Sequence, residues 1–240
     1  MKYVERFYRN LVTAGGLSRY RVVEKETDLQ ISSDTDLREE ALRSLRRHRM
    51  TVEDYIALHP RFETSLVPLA IDTTAPPIIE DMLSAASRAG VGPMASVAGA
   101  IAEYVGRDLL ACCDNVIVEN GGDIFLKVTD RGISVAIFAG ESPLSNKITL
   151  DIRPEETPLG ICTSSATVGH SLSLGRADAV CVKSRSTSLA DAVATALCNA
   201  TGGEGAVKEV LEAGAAIEGV SGIVIIEGKT LGALGDVHFI

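Results

Sequence analysis

The sequence has no stretch of about 18 consecutive apolar residues, the length a membrane-spanning helix requires. Its first residues, MKYVERFYRN, carry no apolar core of a secretory signal. A cytoplasmic protein with no membrane partner is expected. Positive charge is also scarce: 23 Lys and Arg against 32 Asp and Glu give a net charge of −9 and a pI near 5.0. Nucleic acid and anionic lipid surfaces both demand a basic footprint, so neither is an expected partner. An anionic ligand would have to be held by a metal, by helix N-termini or by a few local cations. The five cysteines (Cys112, Cys113, Cys162, Cys181, Cys198) form no CxxC pair and no ligand-like group with the four histidines. Buried free thiols in a reducing compartment are the expectation. Glycine and proline are scattered, so no linker or low-complexity segment divides the chain.

What is present is a chain of 240 residues, 46% hydrophobic and 23% charged, able to bury one substantial core. Tyr20, Val22 and Val23, then Leu29 and Ile31, read as short strands. A helix capped by Asp34 or Thr35 should follow, with Leu37, Ala41, Leu42 and Leu45 inward and RSLRRHR on a solvated face. A second short helix is expected from Thr51 to His59, where Pro60 ends it. Pro76 and Pro77 introduce a helix over Ile78 to Arg88, closed by a left-handed Gly90. The segment GPMASVAGAIAEYVGRDLLACC reads as another helix, whose first half of small residues allows close approach of a ligand or of a second helix. Strands then dominate: NVIVEN, IFLKVT, a turn at Asp130 to Gly132, ISVAIF and ITLDI. After a Thr/Ser-rich loop beginning at Gly160 come the strand ADAVCVK, helices over Ser188 to Ala200 and Ala206 to Ala216, and the strand SGIVIIEG. Short connections between consecutive strands imply an antiparallel meander. The predicted fold is α+β: a single domain with a largely antiparallel or mixed sheet covered by helices. Residues 1–75 supply N-terminal strands and helices and 76–240 the motif-bearing core.

Three stretches could carry chemistry. ENGGDI, residues 119–124, has two glycines that permit positive φ and could lay bare amides against a phosphate or ring, with Asn120 and Asp123 directing hydrogen bonds. A plain hairpin turn needs the same residues. The hydroxyl-dense GICTSSATVGHSLSLGR, residues 160–176, holds His170, which could act as a general acid or base. Serine and threonine fill ordinary loops as well. In SLADAVATAL, Asp191 and Thr195 lie one helical turn apart, hard oxygen donors of the kind that suit Mg²⁺. Ser188 and Asp191 equally form a capping box.

In this order the stretches resemble the ApbE family of flavin transferases. GAIA at 99–102 followed by Asp108 is similar to the family's GAIAKGxxxD helix, ENGGDI to its NxGGDI turn, Thr163-Ser164 to its TSG loop, and Asp191 with Thr195 to its DAxxTA helix. The resemblance implies an ApbE-like domain that binds FAD and, with Mg²⁺, moves FMN onto a threonine of a target flavoprotein. It implies a metal site at Asp191, Thr195 and the Ala100 carbonyl, and a flavin site at Asn120, Gly121, Gly122, Asp123, Thr163 and Ser164. Asp191 and His170 are its catalytic candidates. Glu103 and Tyr104 stand where the family has lysine and glycine, and the family's HxxDPxTG segment is missing, with His170 as its remnant. The first 75 residues are similar to a shorter ApbE-like subfamily of archaea and anaerobic bacteria, which loosely implies a role in anaerobic sulfur assimilation toward homocysteine. A small nucleotide or flavin ligand is the implied partner, and a homo-oligomer is allowed.

Overall fold

Burial alternates residue by residue along the central strands and divides the interior into two faces. In β4 (Val116–Asn120), Val116 and Val118 join one apolar cluster while Ile117 joins another. The same split separates Phe125 from Ile124 and Leu126 in β5 (Asp123–Lys127). It also separates Val180 and Val182 from Ala179 and Cys181 in β9 (Ala179–Ser184). A sheet with both faces covered follows from that pattern. The computed structural model describes residues 12–13, 15–167, 175–202 and 206–240.

Among these, eight strands form one sheet. Its remaining members are β2 (Ser18–Glu24), β3 (Thr27–Ser33), β8 (Leu159–Ser164), β10 (Val220–Glu227) and β11 (Thr230–Gly235), in the order β11-β10-β9-β8-β5-β4-β3-β2. Every pairing in it is antiparallel. One face carries α1 (Arg38–Leu58), α3 (Pro77–Ala89), α4 (Val97–Leu109), α5 (Thr187–Ala200) and α6 (Ala206–Ala215), with a short α2 (Arg61–Thr64) beside α1. The other face is closed by a small sheet of β1 (Val12–Thr13), β6 (Ile133–Ala136) and β7 (Thr149–Ile152). The class is α+β, as the sequence predicts. No helix among the described residues is long and apolar enough to cross a membrane.

Gly90 ends α3 with φ 74°, the left-handed cap its position suggests. Several elements differ from expectation. The two helices anticipated over 35–59 are one continuous α1, because Ala41, Leu45, Val52 and Ile56 continue a single apolar stripe and Thr51 donates its hydroxyl back to the Arg47 carbonyl from inside the helix. Asp34 does not cap it: its carboxylate accepts the amides of Asp114 and Asn115, 80 and 81 residues away. The α4 helix begins at Val97, after a 3₁₀ turn over Pro93–Ser96. Thr163 and Ser164 end a strand and are not in a loop, and β11 closes the sheet where no strand was anticipated.

Candidate functional site

Three helix-facing side chains line up across the middle of the large sheet. Asn120 pairs in register with Asp123, and Asp123 with Cys162, at the ends of β4, β5 and β8. Between β4 and β5, Gly121 and Gly122 form a two-residue turn with φ of 69° and 109°, a geometry that only glycine adopts without strain. Glu119 ties the turn to its own strand by accepting the Gly122 amide at 3.0 Å. A Cβ on Gly122 would lie 3.5 Å from the Thr163 carbonyl, so the turn and the end of β8 are neighbours.

Over this row lies the first turn of α4, gripped from both sides. The Asn120 side-chain amide donates to the Ala98 carbonyl at 3.0 Å, and the Gly99 amide donates to Asp191 Oδ2 at 2.8 Å. Asp191 reaches across because α4 and α5 are almost in backbone contact. A Cβ on Gly99 would meet the Thr187 carbonyl at 2.6 Å and Asp191 Cβ at 2.8 Å. The small residues of this helix therefore serve helix–helix packing. Gly160 lets β8 approach α5 as closely underneath, where a Cβ would fall 2.5 Å from Thr187 Cα. The local capping-box reading of Ser188 and Asp191 is not what forms: Ser186 is the N-cap and accepts the Leu189 amide, while Asp191 serves the amides of the other helix.

The result is a buried pair of acids. Burial drives the Asp191 carboxyl up to about 7, although the Gly99 and Ala98 amides favour its charged form. Asp123 is pushed well above the usual carboxylate range, by burial first and then by the charge of Asp191, with the Cys162 thiol and the Thr163 amide opposing the rise. The Cys162 thiol beside it donates to the Thr187 carbonyl at 3.4 Å and is itself raised by burial and by both acids. Cys162, Cys181 and Cys198 are buried free thiols, whereas Cys112 is exposed.

The structure brings Asn120, Gly121, Gly122, Asp123, Thr163 and Asp191 together around the first turn of α4. Ala100 lies in that turn, fully buried, and Thr195 one turn beyond Asp191 on α5, half-buried. Ser164 ends β8 next to Thr163. His170 lies outside the described residues. Among those described, no group of three or more His, Cys, Asp or Glu side chains is arranged to hold a metal ion. An ion here would rest on carboxylates completed by hydroxyl and carbonyl oxygens, the hard donors that Mg²⁺ prefers. Cys162 as the neighbour of Asp123 could have been found from β-register, but only after Thr163-Ser164 was recognised as strand.

Glu103, which stands where the family has a lysine, is turned inward. It neither faces solvent nor lines the acid pair: at 1% exposure, its Oε2 accepts the amides of Thr187 at 2.7 Å and Ser188 at 3.4 Å, and its Oε1 lies 2.5 Å from the Arg107 guanidinium. Where the family's lysine would stand, this chain has a buried cap for the N-terminus of α5.

Solved structures share this architecture at low identity. The apo form of Pseudomonas stutzeri flavinyl transferase ApbE is 15% identical with a TM-score of 0.52, covering 91% of this chain and 93% of that one. The ApbE protein of Thermotoga maritima is 12% identical with a TM-score of 0.53, covering 90% and 96%. Nearer in sequence is the UPF0280 protein of Methanococcus aeolicus, 38% identical over 221 residues, 90% of this chain and 88% of that protein. That of Methanospirillum hungatei is 50% identical over 177 residues, 73% and 72% of the two chains. The family described as AbpE bacteria matches residues 9–226. With that match over most of its length, the chain belongs to the AbpE bacteria family.

Proposed function

We propose that the protein binds Mg²⁺ at Asp191, beside Asp123, together with the diphosphate of FAD or a related nucleotide, and acts as an FMN transferase-like enzyme. The observation that carries this reading is the buried acid pair itself. Two buried carboxyl groups, close enough for the charge of Asp191 to raise Asp123, favour a proton or a cation near them. The hard-oxygen character of the surroundings favours Mg²⁺ over a softer ion. The name flavinyl transferase, borne by the Pseudomonas stutzeri protein of like fold, supports the flavin.

Asp191, Thr195 and the Ala100 carbonyl would hold the ion. When bound, Mg²⁺ supplies charge neutralisation at the diphosphate as its anhydride bond breaks. The chain's own groups orient the parts: Asn120 locks the first turn of α4 through the Ala98 carbonyl, and Glu119 fixes the glycine turn. Calorimetry with FAD and with ADP, each with and without Mg²⁺, tests the proposal. Binding is expected only with the ion, and Asp191→Ala should weaken it by about tenfold or more. Equal binding by that variant, or none by the wild type, would end this reading.

A second reading has its own observation. Glu103 is committed to capping α5, so the position where the family has a cation offers none to a flavin. The fold would then keep ligand binding without transfer, as an accessory or binding protein in anaerobic sulfur assimilation. Incubation with FAD, Mg²⁺ and a threonine-bearing acceptor separates the two: a flavin mass adduct on the acceptor eliminates the accessory role.

A further inference from the structure

Helices α4 and α5 exchange carboxylates. Asp191, in the second turn of α5, accepts the Gly99 amide in the first turn of α4. Four residues along α4 from Gly99, Glu103 accepts the amides of Thr187 and Ser188, four residues back along α5 from Asp191. The two helices run antiparallel at this crossing, and each carries the anion that the other's N-terminal dipole attracts. We infer that Glu103 is a positioning residue for Asp191, setting where the acid pair receives its ligand without touching that ligand.

Two features make the placement of Asp191 depend on Glu103. The helices have no slack at Gly99, where the Thr187 carbonyl and Asp191 Cβ leave no room for a methyl group. A shift of the first turn of α5 therefore carries Asp191 with it. That turn has few other polar ties: the Thr187 and Ser188 hydroxyls, both fully buried, have no hydrogen-bond partner among the described residues. The Ser186 hydroxyl takes the Leu189 amide, and the Thr187 carbonyl accepts from the Cys162 thiol. Glu103 is anchored in turn by Arg107, whose guanidinium reaches solvent.

The inference rests on the Mg²⁺ reading for its functional consequence, and the test separates the two. Three variants are compared with wild type: Glu103→Ala removes the acceptor, Glu103→Asp withdraws it by one methylene, and Glu103→Gln keeps an acceptor oxygen in place. Leu45→Ala, a core truncation in α1 distant in sequence from the acid pair, controls for stability lost without repositioning. Affinity for Mg²⁺ alone is read by calorimetry, and exchange of the Gly99 amide by NMR. Glu103→Ala and Glu103→Asp should lose about tenfold in Mg²⁺ affinity, with Glu103→Gln within about threefold of wild type, the scale of groups that orient a ligand indirectly. The Gly99 amide should exchange faster in the same two variants. If Glu103→Ala does not fold, Glu103→Asp decides on both readouts. Affinity and exchange that match the Leu45→Ala control would overturn the inference. Should the wild type bind no Mg²⁺, the proposed function fails while Gly99 exchange still decides this one: unchanged exchange in Glu103→Asp refutes it.

Discussion

A carboxylate with two helix amides on one oxygen and an arginine on the other cannot be exchanged for a cation cheaply. Burial raises the Glu103 carboxyl, and Arg107 with the two amides pulls it back, so its charge is tolerated only through these partners. Glu103→Lys, which restores the residue type of the flavin transferases, would set an ammonium against the positive end of α5 and leave two buried amides unmatched. A loss of about 3–5 kcal/mol in unfolding free energy is expected, the scale of breaking a buried charge pair. Urea unfolding checks it, and a change under about 0.5 kcal/mol, typical of a surface site, would contradict the burial described here.

At the scale of elements, α5 is the member on which the site turns, because its first turn is fastened at three points. Ser186 caps it from within, Glu103 from α4, and Gly160 lets β8 press against Thr187. Removing the local cap alone leaves the other two fastenings. Ser186→Ala should cost about 1 kcal/mol, the usual value of an N-cap hydroxyl. Calorimetric melting would show this as a fall of about 2–4 °C in Tm for a chain of this size. The affinity of Asp191→Ala would serve as the floor in a parallel Mg²⁺ titration, which Ser186→Ala should stay well above.

For the whole molecule, acid stability reports how the helical layer is tied together. Asp108 of α4 accepts from Ser44, Arg47 and His48 of α1, with His48 Nε2 at 2.7 Å. Burial pushes its carboxyl up, but the bonds from Ser44 and His48 and the charge of Arg47 outweigh that and hold it below the usual range. His48 is lowered by burial, in spite of the Asp108 carboxylate beside it. A carboxyl depressed in the folded state contributes stability that is complete above its unfolded pKa of about 3.9 and is lost as pH falls through the folded value. Asp108→Asn should therefore be less stable than wild type near pH 6, with the gap closing below about pH 4. Urea midpoints across that range test the sign. A gap that stays constant would mean the carboxylate charge at Asp108 contributes nothing. Because the side chain is about a third exposed, solvent screening keeps the effect modest.

The amino-acid sequence by itself determined the sheet-and-helix class, since short apolar runs such as Ile223 to Ile226 in a strand buried on both faces and an apolar stripe in α3 are local signals. It also placed the glycine turn and the left-handed Gly90, because positive φ selects glycine residue by residue. The motif order that marks the family is equally a property of the chain alone. What only the tertiary structure decided is how those motifs are used. Local capping rules look about three residues away, and on that basis Asp191 pairs with Ser188. In the folded protein its partner amide is 92 residues distant, and that of Glu103 is 84. Nothing periodic connects such positions. Their pairing follows from the close approach that Gly99 and Gly160 allow between α4, α5 and β8, which buries carboxylates away from water and brings distant backbone amides within reach of them.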